Sequence, residues 1–196
     1  MARDTVQRRL AAILAADVVG WSRLMGADEA GTLARLKGHR NELIDPKLAE
    51  FGGRIVKTTG DGALVEFHSA AAAVRCAVEI QKELAGTTST EFEHEPITLR
   101  IGISLGDVIV EGGDLYGNGV NVAARLEALA EPGGICLSEA AHMQVDGKLD
   151  LTFRDMGEHE VKNITRPVRA WQVVTEDAPL PAPVPVLPDK PSIAVL

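Results

Sequence analysis

The chain has 196 residues, and 45% of them are hydrophobic, which is enough for one globular domain with a packed core and some additional sequence. Its formal net charge of -8 argues against a protein that binds nucleic acid through a positively charged surface. An acidic protein that handles an anionic ligand needs divalent cations between the two negative partners.

The cysteines and histidines do not form a recognisable metal or redox motif. Cys76 and Cys136 lie in apolar segments without C-x-x-C spacing, so we expect two buried, reduced thiols of a cytoplasmic protein. The five histidines are scattered along the chain without the grouping that is typical of zinc sites.

The N-terminal sequence superficially resembles a signal peptide. Arg8-Arg9 precedes the apolar run LAAILAA, but this run covers only 10–16 and ends at Asp17. No segment approaches the roughly 20 apolar residues that a membrane span requires. We therefore interpret 10–16 as a buried strand and expect no contact with a membrane.

The first half of the chain predicts helices around one hairpin. A roughly helical stretch over 27–51 follows the first strand; Pro46 is expected to break or kink it, and Gly52-Gly53 to end it. Strands over 54–59 and 63–67 form a hairpin. An amphipathic helix over 69–84 follows, with Ser69 as its candidate N-cap.

The second half predicts more strands than helices. We expect a second strand pair, 97–104 and 107–111, turning at Gly106, and then the loop DLYGNG and a helix over 120–130. The remaining predicted elements are a short strand at 135–137, a helical turn capped by Ser138, and a final hairpin of strands 151–161 and 168–174.

This order of elements predicts an α+β fold with a ferredoxin-like, antiparallel sheet covered by helices. We expect this domain to span 1–176. Six of the ten prolines fall within 177–191, which is typical of an extended linker, and the apolar ending 192–196 resembles the first strand of a following segment.

Two aspartates stand at predicted strand ends beside glycines. Asp61 lies in the stretch KTTGDGALVEF, whose Asp-Gly predicts a hairpin turn, and Asp17 ends the first strand. Neighbouring strands lie about 4.8 Å apart, so the two carboxylates can meet across a cation pair. The alternative is that Asp17 caps the following helix and Asp61 only fills a turn.

Two further stretches carry candidate binding residues. The backbone of Gly20-Trp21-Ser22 precedes a helix and can face an anion such as a polyphosphate. Asn121 and Arg125 are four residues apart on a predicted helix and project from one face, next to the DLYGNG loop. The alternative is that Asn121 and Arg125 are only part of a solvated polar face of the helix.

The sequence resembles the catalytic domain of class III nucleotidyl cyclases, the adenylate and guanylate cyclases. The resemblance runs from about Arg9 to Val174 and depends on four motifs in the family's order: AADVVGWSRLM, FGGRIVKTTGDGALVEF, LRIGISLGDVIVEG and DLYGNGVNVAARLE. It implies a homodimer with active sites at the interface, ATP as substrate, and two Mg²⁺ or Mn²⁺ ions per site.

The resemblance also implies a role for each candidate residue. The metal-binding aspartates fall on Asp17 and Asp61, with the Val18 carbonyl beside them, and Gly20, Trp21 and Ser22 fall in the loop over the β- and γ-phosphates. The remaining roles are purine recognition by Lys57 and Asp114, ribose orientation by Asn121, and stabilisation of the α-phosphate charge by Arg125.

The two purine-recognising residues favour adenine. Adenine presents an acceptor at N1 and an amine donor at C6, which suit a Lys57 donor and an Asp114 acceptor, whereas guanine reverses both. Each mismatched buried polar group costs about 1–3 kcal/mol. Guanylate cyclases of this family usually carry Glu and Cys at these positions, so the sequence resembles an adenylate cyclase.

The sequence departs from the family at three places. Asp107 replaces an arginine found after the fourth strand, Trp21 replaces the more usual Phe or Tyr, and the late phosphate-binding lysine has only Lys162 and Arg166 as candidates. The Asp107 departure leaves open a regulatory cyclase-like module that binds nucleotide or a partner domain without turnover. A guanylate cyclase is a further alternative, and a regulatory domain is expected after residue 196.

Overall fold

The computed structural model describes residues 7–87, 95–160 and 167–174. Its strands are β1 Gln7–Val18, β2 Arg54–Thr59, β3 Gly62–Phe67, β4 Leu99–Glu111, β5 Asp114–Tyr116, β6 Ile135–Ser138, β7 Thr152–His159 and β8 Val168–Val174. Its helices are α1 Trp21–Ala27, α2 Glu29–His39, α3 Asp45–Glu50, α4 Ala70–Thr87, α5 Asn118–Leu129 and α6 Glu139–Val145. Lys162, Arg166, the Pro-rich stretch and the apolar ending lie outside the described residues.

The strands form one mixed sheet in the order β2-β3-β1-β4-β6-β8-β7, and β5 pairs with the far end of β4. All neighbouring strands are antiparallel except β4 and β6. The expected α+β fold with a mostly antiparallel sheet and covering helices is therefore confirmed. Among the described residues, no helix has the length and apolar character needed to cross a membrane.

The two faces of the sheet are covered unequally. Leu14 and Ile103 point to a large core beneath the other helices, α1 to α4 and α6. Ile13 and Val108 point to the opposite face, where α5 packs. This alternation follows from the two-residue period of a strand, so each residue's parity in β1 decides which face it occupies.

Helix α5 lies unusually close to β4 because small residues alternate along that strand. A Cβ added at Gly102 would lie 2.1 Å from the Glu127 nitrogen, and one added at Gly106 would lie 3.3 Å from the Gly119 Cα. Between them, the Ser104 hydroxyl donates a 2.5 Å hydrogen bond to the Gly119 carbonyl. The backbone of α5 thus rests directly on the sheet.

The expected strand pair that turns at Gly106 is wrong, because β4 runs unbroken from Leu99 to Glu111. Gly106 remains paired with Ala11 of β1, and its missing side chain admits the helix instead of a turn. The turn falls at Gly112-Gly113, and the first part of DLYGNG is strand β5 rather than loop.

The predicted long helical stretch is present but interrupted. A π-helical turn, Arg40–Ile44, joins α2 to α3, and Pro46 stands in the first turn of α3, where its missing N–H costs least. Gly52 then ends the helix at a φ of 72°. The N–H groups of Gly52 and Gly53 bond to the carbonyls of Ala49 and Leu48, as in a Schellman motif.

Both predicted serine caps and both predicted buried thiols are confirmed. Ser69 and Ser138 accept hydrogen bonds from the N–H groups of Ala72 and Ala141, each at 3.2 Å. Cys76 and Cys136 are free and fully buried, and burial raises the pKa of each thiol to about 12.

Candidate active site

Asp17 lies near the end of β1 on the face that α5 covers. Ala11, Ile13 and Ala15 pack on this face, and the alternation continues to Asp17. Asp17 does not cap the following helix, because the N-cap of α1 is Gly20 and makes no side-chain capping bond. The capping alternative is therefore wrong, and the carboxylate is available for another role.

Asp61 occupies the tip of the β2–β3 hairpin, and strand pairing brings this tip to Asp17. Ala16 of β1 pairs with Ala63 of β3, so the next positions along the two strands are Asp17 and Gly62. The Asp61 carboxyl lies beside that of Asp17, which raises its pKa, and near the Val18 N–H, which lowers it. The turn and the carboxylate cluster are thus the same feature.

The electrostatics of this pair suit a cation. The pKa of Asp61 is raised to about 6, first by burial and then by the neighbouring Asp17. Carboxylate oxygens are hard ligands, and Mg²⁺ is commonly held by one or two carboxylates together with substrate phosphates. The described residues contain no group of three or more His, Cys, Asp or Glu side chains placed to hold a metal ion. The Asp17–Asp61 pair is a candidate metal site on the chemistry of its two carboxylates alone.

Gly62 keeps the space beside the pair open. A Cβ at this position would lie 3.2 Å from the Ala16 carbonyl oxygen and 3.5 Å from the Asp17 Oδ1. A side chain there would therefore fill the space next to the carboxylate. The donor set and the space both fit a divalent cation.

Two further charged residues, which the sequence analysis did not identify, lie beside the Asp17–Asp61 pair. Arg100 of β4 pairs directly with Asp17, and its Nε is buried without a hydrogen-bond partner. Glu127 of α5 has a pKa raised to about 7, first by burial and then by Asp17, while Arg100 opposes the rise. The alternation of faces along β4 could have placed Arg100 near Asp17 from the sequence. Glu127 comes near Asp17 only through the packing of α5 on the sheet.

The candidate phosphate loop follows β1. Gly20 has a φ of 67°, in the left-handed region that favours glycine, and both Gly20 and Ser22 are exposed. Trp21 is half-buried and packs on the large core, so its side chain supports the loop. The Arg23 guanidinium lies over Gly20, 3.0 Å from an added Cβ, and forms an ion pair with Glu95.

Lys57 reaches the site face because of an irregularity in β2. The register shifts at Val56, so Lys57 pairs with Leu64, whereas Arg54 pairs with Glu66. Leu64 packs on the α5 side of the sheet, and its partner Lys57 is exposed on that side. A β-bulge thus sets the face on which this lysine stands.

Asp114 lies at the start of β5, and the β4–β5 hairpin folds over the sheet toward β2. Val110 and Leu115 of the hairpin pack in one cluster with Val56 and Leu64. The Tyr116 hydroxyl donates a 3.4 Å hydrogen bond to the Asp114 Oδ2. The strand that carries Asp114 therefore packs against the strand that carries Lys57.

Asn121 and Arg125 lie on the outer face of α5. Both are exposed, whereas Val122 and Leu126 of the same helix are buried against the sheet. The metal candidates lie at the end of β1, beneath this helix. The structure thus brings Asp17 and Asp61 together but directs the Asn121–Arg125 face away from the sheet.

Comparison with known proteins identifies the family of the chain. Residues 6–175 match the family model of the adenylate and guanylate cyclase catalytic domain. The chain belongs to this family. A putative adenylate cyclase 3 of Rhizobium meliloti is 50% identical to this cyclase domain over 202 residues, which cover 100% of the chain and 34% of that relative. An adenylate cyclase of Streptomyces coelicolor is 32% identical over 137 residues, which cover 70% of the chain and 34% of that relative.

Solved structures share the fold of this cyclase domain. An adenylate/guanylate cyclase/hydrolase from Silicibacter pomeroyi is 51% identical and superposes with a TM-score of 0.82, covering 88% of this chain and 100% of that one. The adenylyl cyclase CyaB from P. aeruginosa is 25% identical with a TM-score of 0.76, covering 87% and 96%. The domain spans about a third of the length of the curated relatives named above.

Proposed function

We propose that this chain is an adenylate cyclase catalytic domain that converts ATP to 3′,5′-cyclic AMP and pyrophosphate. The observation that carries the proposal is the Asp17–Asp61 pair, two carboxylates held together at a strand end with the pKa of Asp61 raised to about 6. Such a pair is costly unless a cation neutralises it. Membership of the cyclase family suggests the reaction in which a divalent cation would take part.

In this proposal, Asp17, Asp61 and the Val18 carbonyl hold two Mg²⁺ or Mn²⁺ ions. When bound, these ions would lower the pKa of the ribose 3′-hydroxyl and neutralise the triphosphate, as in other two-metal phosphoryl transfers. The exposed backbone of Gly20 and Ser22, with Trp21 packed behind it, would cover the β- and γ-phosphates.

The remaining candidates bind and orient the nucleotide. Lys57 would donate to adenine N1 and Asp114 would accept from the 6-amino group. A site built on such hydrogen bonds can discriminate by roughly 10⁴-fold or more. Asn121 would orient the ribose, and Arg125 would stabilise charge on the α-phosphate as the bond to pyrophosphate breaks, a role typically worth about 10²–10³ in rate.

We further propose that each site is shared between two copies of the chain. The supporting observation is that Asn121 and Arg125 lie on the outer face of α5, exposed to a partner, while Asp17 lies beneath the helix. In a homodimer, the metal-binding residues of one protomer would then meet the nucleotide-orienting residues of the other. The proposed catalytic domain spans 1–176, before a linker at 177–191.

The proposal is tested by measuring cyclic nucleotide formed from ATP and from GTP with Mg²⁺ or Mn²⁺. We expect cyclic AMP from the wild type and almost none from Asp61→Asn. Preference for GTP would contradict the assignment of Lys57 and Asp114. Nucleotide binding without product from either substrate would instead support a regulatory module.

The shared site is tested by mixing Asp17→Ala protein with Arg125→Ala protein. Each variant alone is expected to be nearly inactive, whereas a mixed dimer contains one site with neither substitution. Activity should therefore return on mixing when size measurements show dimers that exchange subunits. No recovery under those conditions would rule out sites that draw on two protomers.

A further inference from the structure

We propose that Arg54 is a positioning residue that holds Asp114 in register with Lys57 and thereby sets the purine selectivity of the site. This inference rests on the proposed function, because it concerns how the two purine-recognising residues are held. The supporting contacts do not involve Asp17, Asp61 or helix α5.

Arg54 joins a buried carboxylate to the tip of the β4–β5 hairpin. Its Nε donates to the Glu66 Oε2 at 3.0 Å, and its Nη2 lies 2.9 Å from the same oxygen. Its Nη1 donates to the Gly113 carbonyl at 3.3 Å. One planar guanidinium thus connects β3, β2 and the residue before Asp114, a geometry that a single ammonium does not reproduce.

The Glu66 end of this connection is firmly fixed. Glu66 is only 6% exposed, and Arg9 of β1 forms an ion pair with its other oxygen, which makes no hydrogen bond of ordinary geometry. A buried carboxylate that holds two arginines has little freedom to move, because any displacement leaves a charge without a partner. Arg54 therefore extends from a rigid anchor in the sheet.

The Gly113 end of this connection lies in a turn made of two glycines, which restrict the backbone least. Gly112 and Gly113 have φ values of 58° and 90°, and neither has a heavy atom within 4 Å of an added Cβ. Two consecutive glycines lose more conformational entropy on ordering than other residues, so the turn depends on contacts from outside it. The Arg54 hydrogen bond supplies such a contact at the residue that precedes Asp114.

The β-bulge at Val56 places this connection beside Lys57. Arg54 and Lys57 are three residues apart and would occupy opposite faces of a regular strand. The bulge pairs them with Glu66 and Leu64 instead, so both point to the same face. Their partners are two residues apart on β3, or about 7 Å along the strand. The same segment of β2 therefore presents the lysine and tethers the turn that carries the aspartate.

Loss of this tether should change which purine is preferred, because the Asp114 acceptor is no longer held at a set distance from the Lys57 donor. The test compares Arg54→Gln with Arg169→Gln. Arg169 is the matched control: it pairs with Asp155 on the β7–β8 hairpin, and both arginines have side chains 48% exposed. The double variant Arg54→Gln with Glu66→Gln removes the same tether without leaving the buried charge partly unpaired.

Two measurements are made on each protein: the ratio of kcat/KM for ATP to kcat/KM for GTP, and hydrogen exchange of the amides at 112–116. We expect both variants at position 54 to exchange faster at 112–116 and to lose about tenfold or more in the ATP-to-GTP ratio, since misplacement of about 1 Å can cost 10²-fold in rate. Arg169→Gln should change neither quantity.

Unchanged exchange at 112–116 in both position-54 variants would overturn the tether. Faster exchange with an unchanged ATP-to-GTP ratio would overturn its role in selectivity. If the wild type forms no cyclic nucleotide, the proposed function fails and the selectivity role fails with it, while the tether is still decided by hydrogen exchange.

Discussion

Replacing Gly102 by alanine should separate α5 from the sheet. The added Cβ would lie 2.1 Å from the Glu127 nitrogen and 2.2 Å from the Ala123 carbonyl oxygen, both of them backbone atoms that no rotamer change can move. Ordinary contact begins at 3.4 Å, so the helix must withdraw by about 1.3 Å at this point.

The cost of that withdrawal can be bounded. Overpacking a well-packed core typically costs about 1–3 kcal/mol, and a clash with rigid backbone belongs at the upper end. For a domain of this size, about 3 kcal/mol corresponds to a fall of roughly 6–12 °C in the melting temperature. Because α5 carries Asn121 and Arg125, a shift of this size should also reduce cyclase activity by about 10²-fold.

The assay is a thermal melt at fixed protein concentration, paired with the cyclic nucleotide assay. The matched control is Gly38→Ala, since Gly38 lies in α2 with nothing within 4 Å of an added Cβ. If Gly102→Ala melts at the wild-type temperature and keeps full activity, the close docking of α5 on β4 does not exist as described.

Three further outcomes are expected. Gly38→Ala itself should raise stability by about 0.5–1 kcal/mol in urea unfolding, because it removes backbone entropy from the unfolded chain without a clash; a loss of stability would show that the helix is more crowded there. Cys76 and Cys136 should react with a thiol reagent such as DTNB only after unfolding, since burial raises both pKa values to about 12, and fast reaction of the native protein would contradict their burial. The folded-state pKa of Glu127 is raised from 4.5 to about 7, so its stabilising contribution is present below pH 4.5 and is lost as pH rises through 7. In chelator-treated protein, Glu127→Gln should therefore gain stability relative to wild type between pH 4.5 and pH 7, and a pH-independent difference in urea unfolding would argue against the raised pKa.

Much of the site follows from local sequence. The Asp-Gly of KTTGDGALVEF predicts the hairpin whose tip carries Asp61, and the end of the apolar run 10–16 predicts a strand that delivers Asp17. The serine caps and the helical spacing of Asn121 and Arg125 are also local signals, and the structure confirms the caps and the helix that carries both residues. These features depend on backbone preferences within a few residues of the chain.

Other features were decided by tertiary structure alone. Gly106 was predicted as a turn, but it stays in a strand because α5, whose nearest residue is Gly119, passes over it. The bulge at Val56 sets the face of Lys57, and the contact between Arg54 and Gly113 joins residues 59 positions apart. Glu127 acquires its raised pKa only when α5 buries it beside Asp17.

The physical difference lies in where the partner of each residue comes from. Turns, caps and amphipathic helices depend on interactions between residues that are close in sequence, so composition and spacing determine them. Gly106, Arg54 and Glu127 behave differently. Each interacts with groups that are distant in sequence and that only folding brings near. The sequence by itself therefore determined which residues carry the candidate chemistry, and the packing of α5 and the β4–β5 hairpin decided how they are held.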